Sequence, residues 1–424
     1  MRILLAGATG FIGGHLLRTF REAGHEVRAI ARRPGAARPG VEWVVGDFAT
    51  AHTPGEWAAA VAGCDVVVNA VGIIREAPGQ TFSALHERGP AALFAAGAAA
   101  GARLVQISAL GCDDVAREPY FRHRRVVDRQ VLAAGGFVLR PSFVWGPGDH
   151  SMRMFRSMAA LPVVPVVGDG GALVRPVHVA DLARAVRLAA EGDGPPGAWD
   201  VVGAEAMPFA SLFDVLRVRI GRRAPAWKLH VPVPVMRVVA QLTAAAGRGP
   251  ITPDELSMLL RGSTAPVEPF AVRFGFVPRG LRAGLVDEPG ADREATLAEV
   301  DALVPWLRLT VGSIWIATPL ATWFGWPRAE SLALLSDAGI SGPMAPWLVD
   351  ATCVVELGLG VATFAGWRLA WVGGAQLALV LGFTAILAAT GSPLWGHPFG
   401  PITKNIPLVG AILAVIATRD RIVR

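Results

Sequence analysis

The first 300 residues alternate short apolar runs with longer stretches in which apolar residues recur at helical spacing. Short apolar runs bounded by Gly, Asp or Arg are typical of buried strands, and the stretches between them are typical of helices that cover a parallel sheet. The pattern predicts strands at 2–6, 26–31, 42–46, 65–70, 103–108 and 137–140. Such repeated strand–helix units predict an α/β fold with a doubly wound parallel sheet over residues 1–150.

After residue 147 the alternation loosens, and Pro and Gly become frequent. We expect residues 151–290 to form a smaller substrate-facing lobe, from which some elements return to the sheet. Residues 288–299, at the end of this lobe, are rich in charge and include Gly290. They predict a linker over residues 291–304.

Charge almost vanishes from parts of the last segment, residues 305–424. Four stretches there predict an all-α domain of about four transmembrane helices: 309–326, 345–367, 369–403 and 402–418. The first carries no formal charge over 18 residues, which is about 27 Å of helix and close to the thickness of a bilayer core. The second is interrupted only by Asp350 and Glu356, and the fourth only by Lys404. A large buried helical domain is the alternative interpretation.

Basic residues near the four stretches divide between the two sides of such a bundle. The larger group is Arg308, Arg368, Arg419, Arg421 and Arg424, and the smaller group is Arg328 and Lys404. The positive-inside rule therefore predicts an integral protein of the cytoplasmic membrane, with the N-terminal domain and the C-terminus both cytoplasmic.

The composition agrees with lipid contact. Hydrophobic residues make up 52% of the chain and charged residues 17%, against about 45–50% and 25% in ordinary globular proteins. The net charge of +6 is scattered without a basic stripe, so we expect no nucleic-acid partner and a mild attraction to anionic membrane lipids. The three cysteines, Cys64, Cys112 and Cys353, are too far apart in sequence to indicate a zinc site, and no metal is expected.

A glycine loop follows the first strand and opens a helix: Gly7-Ala8-Thr9-Gly10-Phe11-Ile12-Gly13. Glycines there allow a sharp turn and a close approach of the backbone to a pyrophosphate, while free N–H groups and the helix dipole attract the negative charge. The position of the loop, between an apolar strand and an amphipathic helix, predicts a Rossmann dinucleotide site. A glycine-rich turn without a ligand is the alternative.

The end of the second strand discriminates between the two nicotinamide cofactors. NAD sites usually carry an acidic residue there, whereas this chain has Arg32 and Arg33, so NADP(H) is favoured over NAD(H). Merely solvated arginines are the alternative. Asp47, after the third strand, is placed to accept from the adenine amino group. Three residues at or after the end of the fourth strand are expected beneath the cofactor: Asn69, Ala70 and Gly72.

Three residues form a candidate catalytic set. Ser108 ends the fifth strand, and Tyr120 stands at the head of the following helix with Arg124 one turn further along the same face. A phenol can exchange a proton with a carbonyl oxygen during hydride transfer if a nearby cation lowers its pKa. Ser108 could then hold the carbonyl oxygen, and Arg124 could lie against Tyr120 and the nicotinamide ribose.

Together these residues resemble the extended or atypical branch of the short-chain dehydrogenase/reductase superfamily, in particular proteins related to the nucleotide-binding accessory subunit of respiratory complex I. The resemblance covers about residues 1–285. It rests on the glycine loop, Ser108, Tyr120, the run RPSFVWGPG at 140–148 and the run RPVHVAD at 175–181. It implies that Pro141 and Val144 also contact the cofactor.

The chain departs from the family at the usual Tyr-x-x-x-Lys motif, where Arg124 replaces the lysine. Arginine keeps the positive charge but does not lose its proton, which puts a lysine-like proton relay in question. Trp145 stands where a tyrosine is common, and His86 lies near the position of a family asparagine. Nucleotide binding is expected in either case, whereas both a working reductase and a non-catalytic cofactor-holding role stay open.

Residues 305–420 resemble the DoxX-like membrane domains, most clearly in the loop HPFGPITKNIP at 397–407. Relatives of that domain are associated with quinone-linked redox chemistry. Glu356 lies midway along its predicted span, so it could serve a quinone or proton site or be paired with Arg308 or Lys404 for packing alone. His397 and Lys404 could contact a quinone or a lipid phosphate, and an ordinary loop residue is the alternative interpretation of His397.

The leading hypothesis is a membrane-anchored NADP(H)-dependent oxidoreductase that acts on a hydrophobic carbonyl or quinone. The alternative is a non-catalytic NADP(H)-binding structural or redox-sensing module of a membrane protein complex. A nucleotide-sugar epimerase is a weaker third hypothesis, since such enzymes generally retain NAD and need no membrane domain.

Overall fold

The computed structural model describes residues 1–192, 194–245, 251–337, 339–391 and 402–419. The chain divides into two compact units, Met1–Ala295 and Thr296–Arg424.

The strands lie in the first unit. Their bounds are β1 (Arg2–Ala6), β2 (Glu26–Ala31), β3 (Val41–Val45), β4 (Val66–Asn69), β5 (Arg103–Ile107), β6 (Phe137–Pro141), β7 (Val144–Trp145), β8 (Val163–Val167), β9 (Leu173–Val174), β10 (Val177–His178), β11 (Gly197–Val201), β12 (Met207–Pro208) and β13 (Trp227–Val231).

Helices of the first unit alternate with these strands. Their bounds are α1 (Phe11–Glu22), α2 (Pro54–Val61), α3 (Gly89–Ala99), α4 (Pro119–Ala133), α5 (His150–Ala160), α6 (Val179–Glu191), α7 (Phe209–Arg219), α8 (Val233–Ala245), α9 (Pro253–Arg261), α10 (Glu268–Phe274) and α11 (Leu281–Asp287). A π-helical turn, Ser83–Arg88, leads directly into α3.

A parallel sheet with the strand order β11-β6-β5-β4-β1-β2-β3 organises this unit. Every recorded pair within it is parallel. The strand order reverses beside β1, as in a Rossmann fold, so the carboxyl ends of β1 and β4 border the crevice in which such folds bind ligands. The predicted doubly wound sheet is confirmed.

Both faces of the sheet are buried, which explains why its strands are almost continuously apolar. One core layer packs α1 and α6 against the sheet through residues such as Phe20 and Leu182. The other layer packs α2, α3 and α4 against the opposite face through residues such as Trp57 and Phe94. Two core layers on opposite faces hold the strand ends that carry the candidate site in fixed positions.

The predicted strand positions agree with the structure to within about a residue at most ends. Sequence reasoning missed β11, which lies beyond α6 and pairs with β6 at the edge of the sheet. It also missed three two-stranded ribbons, which pair β7 with β10, β8 with β13 and β9 with β12. β7, β9, β10 and β12 have two residues each, which leave too short a pattern to be read from one sequence, whereas β8 and β13 have five residues each and interrupt a Pro- and Gly-rich region.

Helices dominate the last part of the chain. Their bounds are α12 (Ala291–Phe324), α13 (Arg328–Asp337), α14 (Ala345–Ala365), α15 (Leu369–Ala389) and α16 (Asn405–Ala417). The segment predicted as a linker, 291–304, lies within the 34-residue helix α12. Alanine, leucine and glutamate have high helix propensity and are frequent after Gly290. Their propensity outweighs the effect of the scattered charges, so the segment is helical.

Among the described residues, three helices are long and apolar enough to cross a bilayer: α12, α14 and α15. This is one fewer than the sequence predicts. The fourth predicted span, 402–418, is helical only over the 13 residues of α16, about 20 Å of helix. The segment 392–401, which holds His397, lies outside the described residues.

Small residues and polar pairs hold the helices of the second unit together. A Cβ at Gly373 of α15 would lie 2.5 Å from a side-chain carbon of Ile416 on α16, so these two helices approach closely. Gln376 donates to the hydroxyl of Thr363 at 3.0 Å, which joins α15 to α14. Asn405 donates to the hydroxyl of Thr384 at 2.9 Å, which joins α16 to α15.

Candidate functional site

The glycine loop between β1 and α1 leaves no room for side chains at two positions. Gly7 has φ +85°, and a Cβ there would lie 2.8 Å from the carbonyl carbon of Ala70. A Cβ at Gly13 would lie 2.0 Å from the carbonyl oxygen of Gly7. Glycine is required at both positions because the clashing atoms belong to the backbone, which cannot move aside as a side chain can.

No side chain caps the start of α1, where Gly10 occupies the N-cap position. Some other helices of this unit are capped by side chains, for example α5 by the carboxylate of Asp149 and α9 by the hydroxyl of Thr252, whereas α3, α4 and α7 are not. An uncapped N-terminus that follows a tight glycine turn presents backbone N–H groups and the positive end of the helix dipole to a ligand. The loop therefore fits the pyrophosphate of a dinucleotide, and Thr9, Phe11 and Ile12 lie within it as predicted.

The predicted adenosine side of the site lies at the ends of β2 and β3. Arg32 and Arg33 are exposed and have no hydrogen-bond or ion-pair partner among the described residues. Arg28, in contrast, is bound to Glu42 and to backbone carbonyls, so it belongs to the scaffold. Asp47 accepts from the backbone N–H of Ala49 at 2.9 Å through one carboxylate oxygen, which fixes the turn after β3.

The loop after β4 is held from within the sheet. Asn69 is fully buried, donates to Gln106 at 2.9 Å and accepts from the N–H of Val71 at 3.0 Å. Its side chain therefore shapes the loop that carries Ala70 and Gly72. A Cβ at Gly72 would lie 2.2 Å from a guanidinium nitrogen of Arg124, so the absence of a side chain at position 72 leaves the space that Arg124 occupies.

Tyr120 and Arg124 are brought together by α4, as predicted. The guanidinium carbon of Arg124 lies 4.8 Å from the centroid of the Tyr120 ring. Its Nη1 donates to the carbonyl oxygen of Ile107 at 3.1 Å, and the side chain is buried. Burial raises the pKa of Tyr120, and the positive charge of Arg124 opposes that rise. Arg124 thus supplies a fixed cation beside the phenol.

His86 completes the group around Tyr120. Its ring stacks on Phe82 and meets the ring of Tyr120 edge to face at 5.2 Å. Its Nε2 accepts from the N–H of Ile73 at 3.0 Å and lies 3.3 Å from Nη2 of Arg124. Burial, together with the charge of Arg124, holds the pKa of His86 well below its ordinary value. The ring is therefore neutral, with its proton on Nδ1.

Two buried donors beside Tyr120 have no partner among the described residues: Nδ1 of His86 and Nε of Arg124. Buried donors in folded proteins are almost always satisfied by protein, water or ligand. These two donors lie next to the phenol of Tyr120, where they could donate to the oxygen atoms of a ribose or of a carbonyl compound.

Ser108, predicted to hold a carbonyl oxygen, makes a hydrogen bond to another buried side chain. Its hydroxyl donates at 2.9 Å to Asp128, a fully buried carboxylate that also accepts from Nε of Arg140 at 3.1 Å. A serine hydroxyl has one proton, so in this arrangement Ser108 does not offer it to a carbonyl oxygen. Burial raises the pKa of Asp128, and Arg140 and Ser108 oppose that rise.

Asp128 was missed by sequence reasoning, although a signal was present. Tyr120, Arg124 and Asp128 are spaced four residues apart and share one face of α4. A helix that carries a phenol, a cation and a carboxylate on its buried face presents them all to the same strand ends. Charged residues at such spacing usually lie on a solvated surface, so the spacing alone does not mark Asp128 as buried.

Pro141 and Val144 lie at the end of β6 and in β7. The carbonyl of Pro141 accepts from the N–H of Leu110 at 2.9 Å, and Val144 pairs with Val177 of β10. The following turn rests on α1, where His15 Nε2 lies 2.9 Å from the carbonyl oxygen of Pro147. Trp145 is buried and packs against His178, so it belongs to the core.

The rim of the site is closed by α9, which comes from the predicted substrate lobe. Glu255 caps α9 and also accepts two hydrogen bonds from Arg75, each 2.6 Å long. Ser257 donates to Glu118 just before α4, and Arg261 pairs with Asp113. These contacts join the loops after β4 and β5 to a helix far away in sequence, which no local pattern could predict.

Comparison with known protein families agrees with this geometry. A family model described as NAD(P)H-binding matches residues 7–135, and one described as a DoxX-like family matches residues 312–413. The chain joins an NAD(P)-binding domain of the short-chain dehydrogenase/reductase type to a DoxX-like membrane domain. This assignment confirms both resemblances inferred from sequence.

Relatives of the dehydrogenase/reductase domain include several oxidoreductases. Ceramide reductase from Caulobacter vibrioides is 31% identical over 188 residues, which cover 43% of this chain and 58% of that protein. A 3-beta-hydroxysteroid dehydrogenase from Mycolicibacterium neoaurum is 28% identical over 53% of this chain and 71% of its own length. The 2-alkyl-3-oxoalkanoate reductase of Stenotrophomonas maltophilia is 28% identical over 66% of this chain and 95% of its own length.

Solved structures share the fold of the same domain. MoeE5 in complex with UDP-glucuronic acid and NAD superposes with a TM-score of 0.55 at 23% identity, over 70% of this chain and 100% of that chain. UDP-glucose 4-epimerase from Thermotoga maritima gives a TM-score of 0.53 at 17% identity, over 70% of this chain and 98% of that chain. At these identities the likeness establishes the Rossmann fold and nothing about substrate.

The DoxX-like domain contains the polar residues predicted at bilayer depth. Asp350, near the start of α14, is paired with Arg328 at 2.7 Å and accepts from the indole N–H of Trp323. Glu356 makes no ion pair within the described residues, so the alternative of a packing pair with Arg308 or Lys404 is not seen there. Lys404 is exposed at the N-cap of α16, and His397 lies outside the described residues.

Proposed function

We propose that this protein is a membrane-anchored oxidoreductase that uses NADP(H) and acts on a lipophilic carbonyl compound or the corresponding alcohol. The pairing of Arg124 with Tyr120, at 4.8 Å from guanidinium carbon to ring centroid, carries this proposal. A phenol beside a buried, immobilised cation is suited to exchange a proton with a carbonyl oxygen.

The bound nicotinamide would supply or accept the hydride at the carbonyl carbon. Tyr120 gives a proton to the carbonyl oxygen during reduction, or removes it from the alcohol during oxidation. The charge of Arg124 stabilises the phenolate that remains after reduction. Because Ser108 donates to Asp128, Ser108 acts here by fixing the end of β5.

We further propose that the cofactor lies over the glycine loop, with Gly7, Thr9, Gly10, Phe11, Ile12 and Gly13 around its pyrophosphate. Arg32 and Arg33 favour a 2′-phosphate because they are exposed and have no described protein partner. Asp47, Asn69, Ala70, Gly72, Pro141 and Val144 complete the proposed cofactor site. The DoxX-like domain supports a cytoplasmic N-terminal domain through the charge pattern around its spans.

The class of substrate is supported by two independent facts. Named relatives are a ceramide reductase, a hydroxysteroid dehydrogenase and an alkyl-oxoalkanoate reductase, all of which concern lipophilic molecules. The chain also carries three membrane-capable helices, so lipophilic substrates are concentrated around it. A quinone meets the same physical requirement and is part of the proposed range.

The test is NADPH consumption by the full-length protein in lipid nanodiscs. The substrate panel contains long-chain 3-oxo compounds, a 3-oxosteroid, an oxidised ceramide and a quinone, with a short water-soluble ketone as the control. We expect turnover with at least one lipophilic compound, little with the short ketone, and a large loss in Tyr120→Phe. Bound NADPH that no compound oxidises would contradict the proposal.

A second candidate is a cofactor-holding module of a membrane complex. The occupied hydroxyl of Ser108 and the replacement of lysine by Arg124 favour it, because both remove parts of the usual proton path. This function requires NADPH to stabilise the protein or its assembly. Tyr120→Phe would leave that stabilisation unchanged.

A further inference from the structure

The predicted substrate lobe exposes an unusual amount of apolar surface on two elements that follow one another in sequence. In the two-stranded ribbon of β8 and β13, Trp227 pairs with Val163 and Leu229 pairs with Pro165. All four side chains are exposed, with Trp227 81% and Leu229 57% accessible. Paired residues of a ribbon point to the same side, so its outer face is entirely apolar.

Helix α8 follows β13 and has a second apolar face. Val235, Val238 and Leu242 lie three and four residues apart and are at least half exposed. On the opposite side Ala240 is buried, and Met236 and Val239 are partly buried. A surface helix of a soluble domain would place mainly polar residues on its outer face, whereas the outer face of α8 carries these three apolar side chains beside Arg237 and Gln241.

Val272 on α10 is also exposed, but it shares this helix with the charged residues Glu268 and Arg273. Isolated exposures of this kind are normal on any protein surface, whereas extended apolar patches mark interaction sites. The outer face of the β8–β13 ribbon and the exposed face of α8 therefore have the character of an interaction surface.

Charge identifies the chemistry of that partner. Residues 215–253, which include both β13 and α8, contain seven basic residues and no acidic residue: Arg217, Arg219, Arg222, Arg223, Lys228, Arg237 and Arg248. Arg217 is buried, and Arg219 and Lys228 are paired with Glu294 and Asp214, so these three belong to the protein scaffold. Arg223 precedes β13 and Arg237 lies on α8, and both are exposed. Apolar side chains, an exposed tryptophan and arginines at the edge are the features of a surface that rests on anionic lipid headgroups.

We propose that the outer face of the β8–β13 ribbon and the exposed face of α8 dock on the surface of an anionic lipid bilayer. The chain itself keeps a bilayer within reach, since it continues from this unit into membrane-capable helices. Tethering of that kind raises the effective concentration of lipid at the surface, so weak contacts suffice for docking. The exposed tryptophan is placed at headgroup depth, where indole rings are favoured.

Spin labels test the proposal in the full-length protein reconstituted in vesicles that contain phosphatidylglycerol. Single cysteines replace Val238 on α8 and Leu229 on the ribbon, and Val272→Cys is the matched control on another exposed position. The three native cysteines are buried, so labelling is directed to the introduced ones. Each substituted side chain is exposed, and such surface changes rarely disturb folding.

We expect the labels at 238 and 229 to be relaxed several-fold more strongly by oxygen than by a water-soluble nickel complex, and the label at 272 to show the opposite order. Free collision of the nickel complex with the labels at 238 and 229 would overturn the proposal. Exclusion of both reagents from these labels would also overturn it, because a second copy or another protein surface would then cover the face. A weaker oxygen effect in purely zwitterionic vesicles would support the role assigned to the arginines.

Discussion

The substitution Arg124→Met removes the cation beside Tyr120 and keeps a side chain of similar length. The guanidinium carbon lies 4.8 Å from the ring centroid, and it is fixed by the bond from Nη1 to the carbonyl of Ile107. Two unit charges roughly 5 Å apart interact by about 3 kcal/mol at an effective dielectric constant of about 20. We therefore expect the phenolate form of Tyr120 to lose stabilisation of that order.

The rate should fall by less than the full interaction energy, since the proton is only partly transferred in the transition state. If about half of the charge has developed, the barrier rises by ~1.5 kcal/mol and kcat falls about tenfold. The limb of the pH profile that reports Tyr120 should also move to higher pH, because Arg124 lowers the pKa of this phenol and its removal ends that effect.

The assay is steady-state NADPH oxidation with the best lipophilic substrate of the panel, measured across pH in nanodiscs. Arg122→Met is the matched control, because Arg122 is an exposed arginine of the same helix. Arg124→Lys should raise turnover above that of the native protein if the site is a working reductase, since lysine can move a proton. An Arg124→Met variant that keeps kcat within twofold and an unshifted pH limb would refute the role of the cation.

Other parts of the site give separate predictions. Arg32→Asp should weaken NADPH binding and strengthen NADH binding, as measured by calorimetry, and equal affinities before and after would contradict a 2′-phosphate contact. Gly72→Ala should lower the kcat of NADPH oxidation, because its Cβ would lie 2.2 Å from the guanidinium of Arg124 and displace it, and an unchanged kcat would contradict the role of this close approach. The raised pKa of Asp128 means that this carboxyl binds its proton more tightly in the native state than in the unfolded state. The free energy of unfolding therefore falls as the pH rises from the pKa of the unfolded state to the raised pKa of the native state. The thermal stability of Asp128→Asn relative to the native protein should therefore increase with pH over that range, and a difference independent of pH would show that Asp128 titrates normally.

The sheet and the glycine loop could be predicted because their signals are local. Buried strands of a parallel sheet are apolar almost throughout, and the glycines lie between β1 and α1 with a fixed spacing. The pairing of Tyr120 with Arg124 was predictable for the same reason, since residues four positions apart lie on the same face of a helix.

Contacts between distant segments could not be predicted. Arg75 meets Glu255 across 180 residues of sequence, and Asp128 is bound to Arg140 only because α4 packs beside β6. Nothing in the local pattern marks these charges as buried or paired. The length of the fourth membrane segment was also misjudged, because the run 402–418 is apolar from its start while the helix begins only at Asn405.

The account depends most on a dinucleotide held at the start of α1. Calorimetric titration of NADPH into the full-length protein in nanodiscs tests this directly, with Gly13→Ala as the variant. We predict saturable binding by the native protein and none by Gly13→Ala, because the added Cβ would lie 2.0 Å from the carbonyl oxygen of Gly7. Absence of binding by the native protein, or equal binding by Gly13→Ala, would contradict the central claim.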